Sequence, residues 1–258
     1  MYETLLYELK DGIGTITLNR PDRYNAFNEK MSAEFIDILK KVARDKEVRC
    51  VVLTGSGKAF CSGQDLKDVQ GKNRSLGESV ERRYNPMIRL ICETEKAFIC
   101  RLNGVAAGAG ASLVMACDYA VASSESSMVW AFANIGLVLD SGSSYFLPRL
   151  VGRQKAFELA TLGNKIKADE MLRLGLVNQV VDPELLDETV GTLARKYADA
   201  PPKSIGLIKR MLNRSFESSL DEMLEIEKCG QEIAGKSEDY IEGVAAFVEK
   251  RKAQFKGV

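Results

Sequence analysis

The chain begins with two short segments, at positions 4–9 and 13–18, in which apolar and polar residues alternate. They flank the turn sequence Lys-Asp-Gly at 10–12, so the pattern predicts a β-hairpin. From Asn28 onward the apolar residues recur at helical spacing, and Asn28 is a favourable N-cap for a helix there. The predicted buried face of this helix carries Met31, Phe35, Ile38, Leu39 and Val42.

Two continuous apolar runs, at 48–53 and 97–102, are typical of buried strands. A glycine-centred turn at 60–66 follows the first strand, and a stretch rich in glycine and alanine at 103–110 follows the second. The residues from there to Met115 are apolar on every side, which predicts a buried helix. The start of such a helix offers unpaired N–H groups to a phosphate, a carboxylate or a reaction oxyanion. Tight packing of helix on sheet through small residues explains the stretch equally well.

The middle of the chain alternates loops with short elements. Residues 70–80 are rich in Gly, Ser, Lys and Asn and predict a surface loop. Residues 79–91 predict a helix that kinks or restarts at an Asn-Pro pair. Short strands are predicted at 119–122 and 128–132.

A loop at 134–144 contains one carboxylate, Asp140, between two glycines. Asp140 or Ser141 is predicted to cap a helix that begins near Gly142. The remaining predicted elements are a helix at 166–174, a strand at 176–181 and, after a boundary at Pro201-Pro202, helices near 204–214, 219–234 and 237–251.

The composition is ordinary for a globular protein, with 45% apolar and 28% charged residues. Acidic and basic residues balance at 36 each, so no general attraction to nucleic acid or to anionic membranes is expected. No apolar run approaches the roughly 20 residues that cross a bilayer, and the first residues lack the apolar core of a secretory signal. We therefore expect a cytoplasmic protein without a nucleic-acid or membrane partner.

Cysteine and histidine usage narrows the chemistry further. Six cysteines are scattered without Cys-x-x-Cys spacing, which indicates reduced thiols rather than disulfides or a zinc site. The chain has 0 histidines, which excludes Ser–His–Asp and Cys–His mechanisms and histidine metal ligands. Proton transfer must then use a carboxylate, lysine, tyrosine, cysteine or water.

Several nucleotide and hydrolase motifs are not expected to operate here. The chain has no Gly-x-Ser-x-Gly nucleophile elbow, and we expect no phosphate loop. The glycines at 104, 108 and 110 do not have the spacing of a dinucleotide-binding turn. A kinase, an NTPase or an NAD-dependent enzyme is therefore disfavoured.

Three motifs, in order along the chain, resemble those of the enoyl-CoA hydratase/isomerase (crotonase) superfamily. They are Phe-Cys-Ser-Gly-Gln-Asp-Leu at 60–66, Asn-Gly-Val-Ala-Ala-Gly-Ala-Gly at 103–110, and Ile-Gly-Leu at 135–137 with Leu-Pro-Arg-Leu-Val-Gly at 147–152. The resemblance covers nearly the whole chain. It implies an α/β (α+β-like) fold with a spiral of ββα turns over 1–200 and a helical trimerisation region over 201–258. It also implies an acyl-CoA substrate, no cofactor or metal, and a homotrimer or a dimer of trimers.

The resemblance also implies a set of site residues. By motif position, the N–H groups that hold the thioester oxyanion belong to Gln64 and Ala109. A donor of this kind is typically worth about 3–4 kcal/mol in the transition state. The implied CoA-binding positions are Arg23, Tyr24, Ala26, Ser62, Asp65 and Leu66. The implied acyl-pocket positions are Tyr84, Ser112, Phe132 and Tyr145.

The sequence departs from the family pattern at the catalytic positions of its hydratases. Those enzymes use two glutamates to add water, and the corresponding positions here are Ser112 and Phe132. Neither residue can act as a general base, so ordinary two-glutamate hydration is disfavoured. Asp140 stands instead where several isomerases and a dehalogenase of the superfamily carry a catalytic carboxylate. Because Val138 and Leu139 precede Asp140, we expect apolar surroundings that raise its pKa.

Within the superfamily, residues 63–66, 79–86 and 108–111 and Asp140 with Gly142 are similar to the ring-epoxide isomerase branch of phenylacetate degradation. This similarity implies rearrangement of 1,2-epoxyphenylacetyl-CoA to oxepin-CoA, a shift of an acyl-CoA double bond, or both. A hydratase of fatty-acid or aromatic catabolism is the alternative within the same fold. A non-catalytic acyl-CoA binder or an RNA binder is the alternative of another class, and the balanced charge disfavours RNA.

Overall fold

The computed structural model describes residues 2–69 and 75–258. The surface loop predicted at 70–80 falls partly on residues 70–74, which lie outside the described residues. The remainder of that prediction is wrong, because Leu76–Ser79 is helical. Ser75 caps this turn by accepting a hydrogen bond from Glu78 N over 3.3 Å.

The strands of the described residues form two sheets. They are β1 (Leu5–Lys10), β2 (Ile13–Leu18), β3 (Cys50–Gly55), β4 (Ala59–Cys61), β5 (Ala97–Leu102), β6 (Val105–Ala107), β7 (Tyr119–Ser123), β8 (Ser127–Val129), β9 (Ile166–Lys167) and β10 (Gln179–Val181). The larger sheet has the order β1-β2-β3-β5-β7-β10 and the smaller one β4-β6-β8-β9. Strands β1 and β2 pair antiparallel, which confirms the predicted hairpin, and the other neighbours in the larger sheet are parallel.

Helices alternate with these strands and then follow one another at the end of the chain. They are α1 (Glu29–Arg44), α2 (Leu66–Val69), α3 (Leu76–Ser79), α4 (Asn85–Glu93), α5 (Ala109–Ala116), α6 (Ser143–Val151), α7 (Arg153–Leu162), α8 (Ala168–Arg173), α9 (Leu186–Ala198), α10 (Pro202–Arg214), α11 (Leu220–Gly235) and α12 (Glu238–Glu249). A π-helical turn, Val80–Tyr84, joins α3 to α4, and short 3₁₀ turns lie at Pro21–Arg23, Ala133–Ile135 and Pro183–Leu185. The parallel sheet, its covering helices and the C-terminal helices confirm the mixed α/β class.

The strongest sequence patterns are confirmed. The Asn28 side chain accepts a hydrogen bond from Met31 N over 2.9 Å, so Asn28 is the N-cap of α1. The five apolar residues predicted for its inner face are all buried. All eight residues of α5 are buried, as its apolar composition predicts.

Other predicted boundaries need correction. The helix predicted at 166–174 is the short strand β9 followed by α8, and α7 and α9 were not predicted. Helix α7 buries only Ala156 and Leu159, so its amphipathic pattern is weak. Helix α9 buries residues at every fourth position, a signal that was readable in the sequence: Leu186, Val190, Ala194 and Ala198.

Glycines allow the central helix to lie directly against a strand. A Cβ on Gly110, in the first turn of α5, would lie 2.1 Å from the Cys61 carbonyl oxygen of β4. A Cβ on Gly104 would lie 2.2 Å from the Lys58 carbonyl oxygen. Because real Cβ atoms do not approach backbone this closely, neither position accepts a side chain without movement of the main chain. Close packing through small residues is therefore confirmed, and it fixes where α5 begins.

Two cations attach the C-terminal region to the sheet. Lys209 of α10 has a side chain only 7% exposed, and it forms an ion pair with Asp118 over 2.8 Å. The same ammonium donates to the carbonyl oxygens of Ile91 and Lys96. Arg49, just before β3, donates to the carbonyl oxygens of Ala200 and Phe255, each over 3.1 Å. Residues near the end of the chain are therefore bonded to the residue that precedes β3.

Residues 230–237 fit the spacing Gly-x-x-x-x-Gly-Lys-Ser of a phosphate loop, a match that the sequence-based expectation overlooked. Their structure does not form one, because Gly230 to Gly235 belong to α11 and Ser237 caps α12. A phosphate loop requires a strand that leads into a glycine-rich turn before a helix.

Among the helices of the described residues, none is long and apolar enough to span a membrane.

Candidate active site

A cavity of about 730 Å³ lies where the N-terminal end of α5 meets the loop before α6. One wall comes from the turn at Ser62 to Gln64 and from Ala107 to Ala109. Residues 137–142 form another part of the lining, and the helical segment from Leu76 to Asn85 contributes a further part. Residues of all three sequence motifs therefore contribute to the cavity.

Gln64 and Ala109 each bring a main-chain N–H group to this cavity. Phe27 and Gln64 form a parallel β-bridge, in which Phe27 N donates to the Gly63 carbonyl oxygen and Asp65 N donates to the Phe27 carbonyl oxygen. The N–H of Gln64, between those two residues, therefore points away from Phe27. Ala109 is the first residue of α5. Neither N–H group has a hydrogen-bond acceptor among the described residues. The two turns are in contact, since a Cβ on Gly63 would lie 3.4 Å from Ala109 N.

Tyr84 holds the side chain of Gln64. The Tyr84 hydroxyl donates to Gln64 Oε1, and Gln64 Nε2 donates to the Phe27 carbonyl oxygen over 3.1 Å. Tyr84 lies in the π-helical turn, a distortion that occurs frequently at functional sites. Burial, with a smaller contribution from the negative charge of Asp140, raises the pKa of Tyr84, so its hydroxyl stays protonated at neutral pH.

Asp140 is the carboxylate of the described cavity lining. Burial raises its pKa above the ordinary aspartate value, while a hydrogen bond from Ser141 Oγ to Oδ1, 2.8 Å long, lowers it. The net direction is upward, as the apolar neighbours predict. The prediction that Asp140 or Ser141 caps α6 is wrong, because Gly142 is the N-cap and no side chain caps that helix.

The two positions that carry glutamates in hydratases of the superfamily are placed differently. The Phe132 ring lines the cavity, and its Cζ would lie 3.5 Å from a Cβ on Gly108. Ser112 is 0% exposed and does not line the cavity, because its hydroxyl is bonded to Ser143 Oγ over 2.6 Å. Tyr145 also lies outside the cavity, with its ring stacked on the Arg149 guanidinium at 3.6 Å. Of the four residues predicted for an acyl pocket, Tyr84 and Phe132 line this cavity, and Ser112 and Tyr145 do not.

The predicted CoA-binding residues form one loop system beside the cavity. Ser62 and Leu66 line the cavity, and Ser62 N donates to the Tyr24 carbonyl oxygen over 2.9 Å. Arg23 and Tyr24 are exposed, whereas Ala26 is buried. The Asp65 carboxylate forms an ion pair with Arg20 over 2.9 Å.

Sequence reasoning missed the residues that hold this loop in place. Arg20 donates to the Ala26 carbonyl oxygen as well as to Asp65. Asn25 is 0% exposed and adopts a φ of 56°, and its side chain donates to the carbonyl oxygens of Ser56 and Ala59. The sequence of this polar loop did not indicate that the side chains of Arg20 and Asn25 would hold it in place through hydrogen bonds.

Gln64, Ala109 and Asp140 thus bring two main-chain N–H groups and one carboxylate to the same cavity, and such groups can stabilise an enolate and move a proton. In comparison with known proteins, residues 8–258 match the family model described as Enoyl-CoA hydratase/isomerase, and the chain belongs to that family. It is similar to the 1,2-epoxyphenylacetyl-CoA isomerase of Escherichia coli (strain K12), with 45% identity over 261 residues and 100% of both chains covered.

Two further relatives carry hydratase names. The short-chain-enoyl-CoA hydratase of Clostridium acetobutylicum is 33% identical over 251 residues, covering 97% of this chain and 96% of its own. The crystal structure of an enoyl-CoA hydratase from Bacillus anthracis superposes with a TM-score of 0.93 at 31% identity. That match covers 99% of this chain and 100% of the other. The chain is therefore an enzyme of a family that acts on acyl-CoA thioesters, and it has the same fold as the hydratases of that family.

Proposed function

We propose that this protein is an acyl-CoA isomerase that rearranges 1,2-epoxyphenylacetyl-CoA to oxepin-CoA. The observation that carries the proposal is the make-up of the cavity: one carboxylate, Asp140, among its described lining residues, with Phe132 on the wall and Ser112 behind it. The hydratase reaction needs two carboxylates to add water, whereas an isomerisation needs one group to move one proton. The name of the relative from Escherichia coli supports the same assignment.

The chemistry follows from the positions of the groups. The thioester oxygen binds between the N–H groups of Gln64 and Ala109. Asp140 removes a proton from the carbon beside the thioester, and the two N–H groups stabilise the resulting enolate. The carbon–carbon bond shared by the epoxide and the six-membered ring opens to a seven-membered ring, and Asp140 returns the proton to a ring carbon. Product and substrate have the same atoms, so the reaction consumes no water. A double-bond shift in a 3-enoyl-CoA would use the same single proton transfer.

CoA is proposed to bind along the loop system beside the cavity. Its adenine end is proposed to lie near Arg23, Tyr24, Ala26, Ser62 and Asp65, with Leu66 as a further CoA-binding residue. Ser62 and Leu66 support this path because both line the cavity. Ser62 N also donates a hydrogen bond to the Tyr24 carbonyl oxygen. We propose no cofactor and no metal for the reaction, because the substrate itself supplies the acidic proton and the electrophile.

A panel of acyl-CoA thioesters tests the proposed function. We expect the purified protein to convert 1,2-epoxyphenylacetyl-CoA to an isomer of equal mass. Chromatography and mass spectrometry measure this conversion. Crotonyl-CoA and a 3-enoyl-CoA serve as hydration and double-bond-shift substrates. Faster hydration of crotonyl-CoA than conversion of the epoxide would assign the chain to the hydratases instead. Binding of every thioester without turnover would make it a non-catalytic binder.

The hydroxyl of Ser141 gives a prediction about pH. Replacing Ser141 by glycine removes the hydrogen bond that lowers the pKa of Asp140, so the carboxyl should keep its proton to a higher pH. Because the reactive form is the carboxylate, the acidic limb of the kcat/KM profile is expected to move to higher pH. Ser141 has a φ of 51°, which glycine adopts freely, so the turn is retained. Ser141→Ala should shift the acidic limb of the kcat/KM profile in the same direction. A profile that is unchanged in both variants would contradict the role of Asp140.

The C-terminal region, residues 201–258, is proposed to assemble the protein into a homotrimer or a pair of trimers. Large apolar side chains are exposed along its helices, among them Leu212 at 65%, Phe247 at 85% and Val248 at 74%. Such a concentration of exposed apolar residues marks an interaction surface. All six thiols are free, which agrees with the cytoplasmic location proposed for the assembly.

Phe247→Glu is expected to dissociate the assembly, because it places a charge in the proposed interface. Phe247→Leu is the matched control and should leave the assembly intact. Light scattering after size-exclusion chromatography measures both. An unchanged mass for Phe247→Glu would place the interface elsewhere.

A further inference from the structure

Three buried side chains behind the cavity form a continuous line of hydrogen bonds. Trp130 Nε1 lies 3.1 Å from Ser143 Oγ, and Ser143 Oγ lies 2.6 Å from Ser112 Oγ. Ser112 Oγ in turn lies 3.3 Å from the Gly108 carbonyl oxygen and 3.4 Å from the Asp140 carbonyl oxygen. Trp130, Ser112 and Ser143 are each 0% exposed, so water does not compete for these contacts.

The direction of this chain follows from the donors available. The indole N–H of Trp130 can only donate, so Ser143 Oγ accepts from it. Ser143 Oγ has no other acceptor for its own proton among the described hydrogen bonds, so we assign it as the donor to Ser112 Oγ at 2.6 Å. Ser112 Oγ then donates its proton to one of the two carbonyl oxygens within reach. The chain therefore runs from Trp130 through Ser143 to Ser112 and ends on the main chain.

One of the two possible acceptors belongs to the peptide group that carries the Ala109 N–H. The Gly108 carbonyl and the Ala109 N–H are two ends of one planar amide. A hydrogen bond accepted by the carbonyl polarises the amide and makes its N–H a stronger donor, an effect that adds along a chain of bonds in a dry interior. Ser112 N also donates to the Gly108 carbonyl over 3.1 Å, which fixes the plane of the same amide.

The other acceptor belongs to the residue that carries the reactive carboxylate. The Asp140 carbonyl oxygen accepts from Ser143 N over 2.9 Å and lies within reach of Ser112 Oγ. Ser112 is on α5 and Ser143 is the first residue of α6, so their contact joins the two helices that hold the two halves of the site. The separation between the Ala109 N–H and the Asp140 main chain is thereby set from behind the cavity.

We propose that the Ser112 hydroxyl is a positioning residue for the reaction: it ends a Trp130–Ser143–Ser112 hydrogen-bond chain that strengthens the Ala109 N–H as an oxyanion donor and fixes Asp140 relative to it. This inference rests on the proposed function for its kinetic consequences. It gives the serine at this position a role of its own, distinct from that of the glutamate which hydratases of the superfamily carry there.

The first test reads the strength of the donor without requiring turnover. Phenylacetyl-CoA labelled with ¹³C at its carbonyl lacks the epoxide, and its thioester C=O stretch reports the hydrogen bonds that it accepts. On wild-type protein we expect a band at lower frequency than in buffer, and on Ser112→Ala a band shifted part of the way back. The matched control is Ser127→Ala, which removes a buried hydroxyl that has no hydrogen-bond partner among the described residues. Its band should equal that of wild type.

The second test is kinetic. Ser112→Ala should lower kcat for 1,2-epoxyphenylacetyl-CoA about 10-fold, less than the loss of a whole oxyanion donor, with KM changed less than twofold. Trp130→Phe keeps an aromatic ring but removes the distant N–H, and it should lower kcat about 3-fold in the same manner. If Ser112→Ala folds poorly, the kcat of Trp130→Phe still tests whether the hydrogen-bond chain affects the reaction. Because Trp130 itself does not line the cavity, we assign a selective kcat effect of Trp130→Phe to the lost hydrogen bond with Ser143.

The outcomes separate the two proposals. Identical bands for wild type, Ser112→Ala and Trp130→Phe, or a wild-type band equal to that in buffer, would overturn the inference whatever the substrate proves to be. A shifted wild-type band that relaxes in Ser112→Ala, in a protein that does not convert the epoxide, would support the inference and remove the proposed substrate.

Discussion

Asp140→Asn is expected to reduce kcat by roughly 10²–10⁴-fold, the range typical of losing general acid–base catalysis. Asparagine has nearly the same shape and keeps an oxygen to accept the hydrogen bond from Ser141, so the loop before α6 should retain its conformation. It cannot take up the proton that the isomerisation has to move. Affinity for phenylacetyl-CoA should stay within a few-fold of wild type, because the thioester is held by main-chain N–H groups.

Glu81→Gln provides the matched control for this substitution. Glu81 lies in the same π-helical turn as Tyr84, but it is exposed and does not line the cavity. Steady-state kinetics should show wild-type turnover for this variant. If Asp140→Asn instead keeps near-normal kcat while Glu81→Gln loses it, the proton-transfer residue has been misassigned. Melting temperatures measured for both variants would show that any loss of activity is chemical.

Lys209→Met should be the most damaging single change to stability among those considered, lowering the free energy of unfolding by about 3 kcal/mol. Methionine fills a similar volume but leaves the Asp118 carboxylate without its cation. The carbonyl oxygens of Ile91 and Lys96 lose their donor at the same time. The value lies at the lower end of the range for breaking a buried pair, because the Asp118 side chain is 27% exposed. Urea denaturation measures the change.

Arg210→Met is the matched control, one residue further along α10. Arg210 pairs with Glu95 over 2.6 Å, but the two side chains are 59% and 60% exposed. Exposed pairs contribute about 0–1 kcal/mol, so this change should be small. Adding Asp118→Asn to Lys209→Met should recover part of the loss, since the amide carries no charge. Equal effects for Lys209→Met and Arg210→Met would show that burial of the pair does not matter.

The loss in Lys209→Met should also depend on pH. Burial already raises the pKa of Asp118, and the Lys209 ammonium opposes that rise. Without the ammonium, the folded-state pKa lies further above the unfolded value, so the folded state binds the proton more tightly. Stability then falls as pH rises between the unfolded and folded pKa values. The destabilisation should be larger at pH 8 than at pH 5.

The sequence predicted the features that depend on local pattern. The cap at Asn28, the hairpin and the apolar helix α5 each follow from spacing within a few residues. Its motif order likewise indicated that Gln64, Ala109 and Asp140 would meet, and the structure brings all three to one cavity. Their individual roles stay predictions until the variants above are measured.

What the sequence did not predict depends on contacts between distant segments. Ser112 and Tyr145 were expected in the acyl pocket, yet neither lines the cavity, and their side chains contact Ser143 and Arg149 respectively. The Trp130–Ser143 contact joins a strand end to a helix start, and no spacing rule indicates such a pair. The π-helical turn that directs Tyr84 toward Gln64 also has no sequence signal of its own.

The contacts of Arg49 have a consequence for synthesis. One of its acceptors is the carbonyl oxygen of a residue 206 positions later in the chain, and the other is 151 positions later. At a translation rate of roughly 5–20 residues per second, Arg49 is synthesised some 10–40 s before Phe255. During that interval the Arg49 guanidinium lacks the acceptor that Phe255 supplies and stays open to water and to chaperones. A ribosome that stalls before residue 255 would therefore hold a nascent chain in which this contact of Arg49 is still missing.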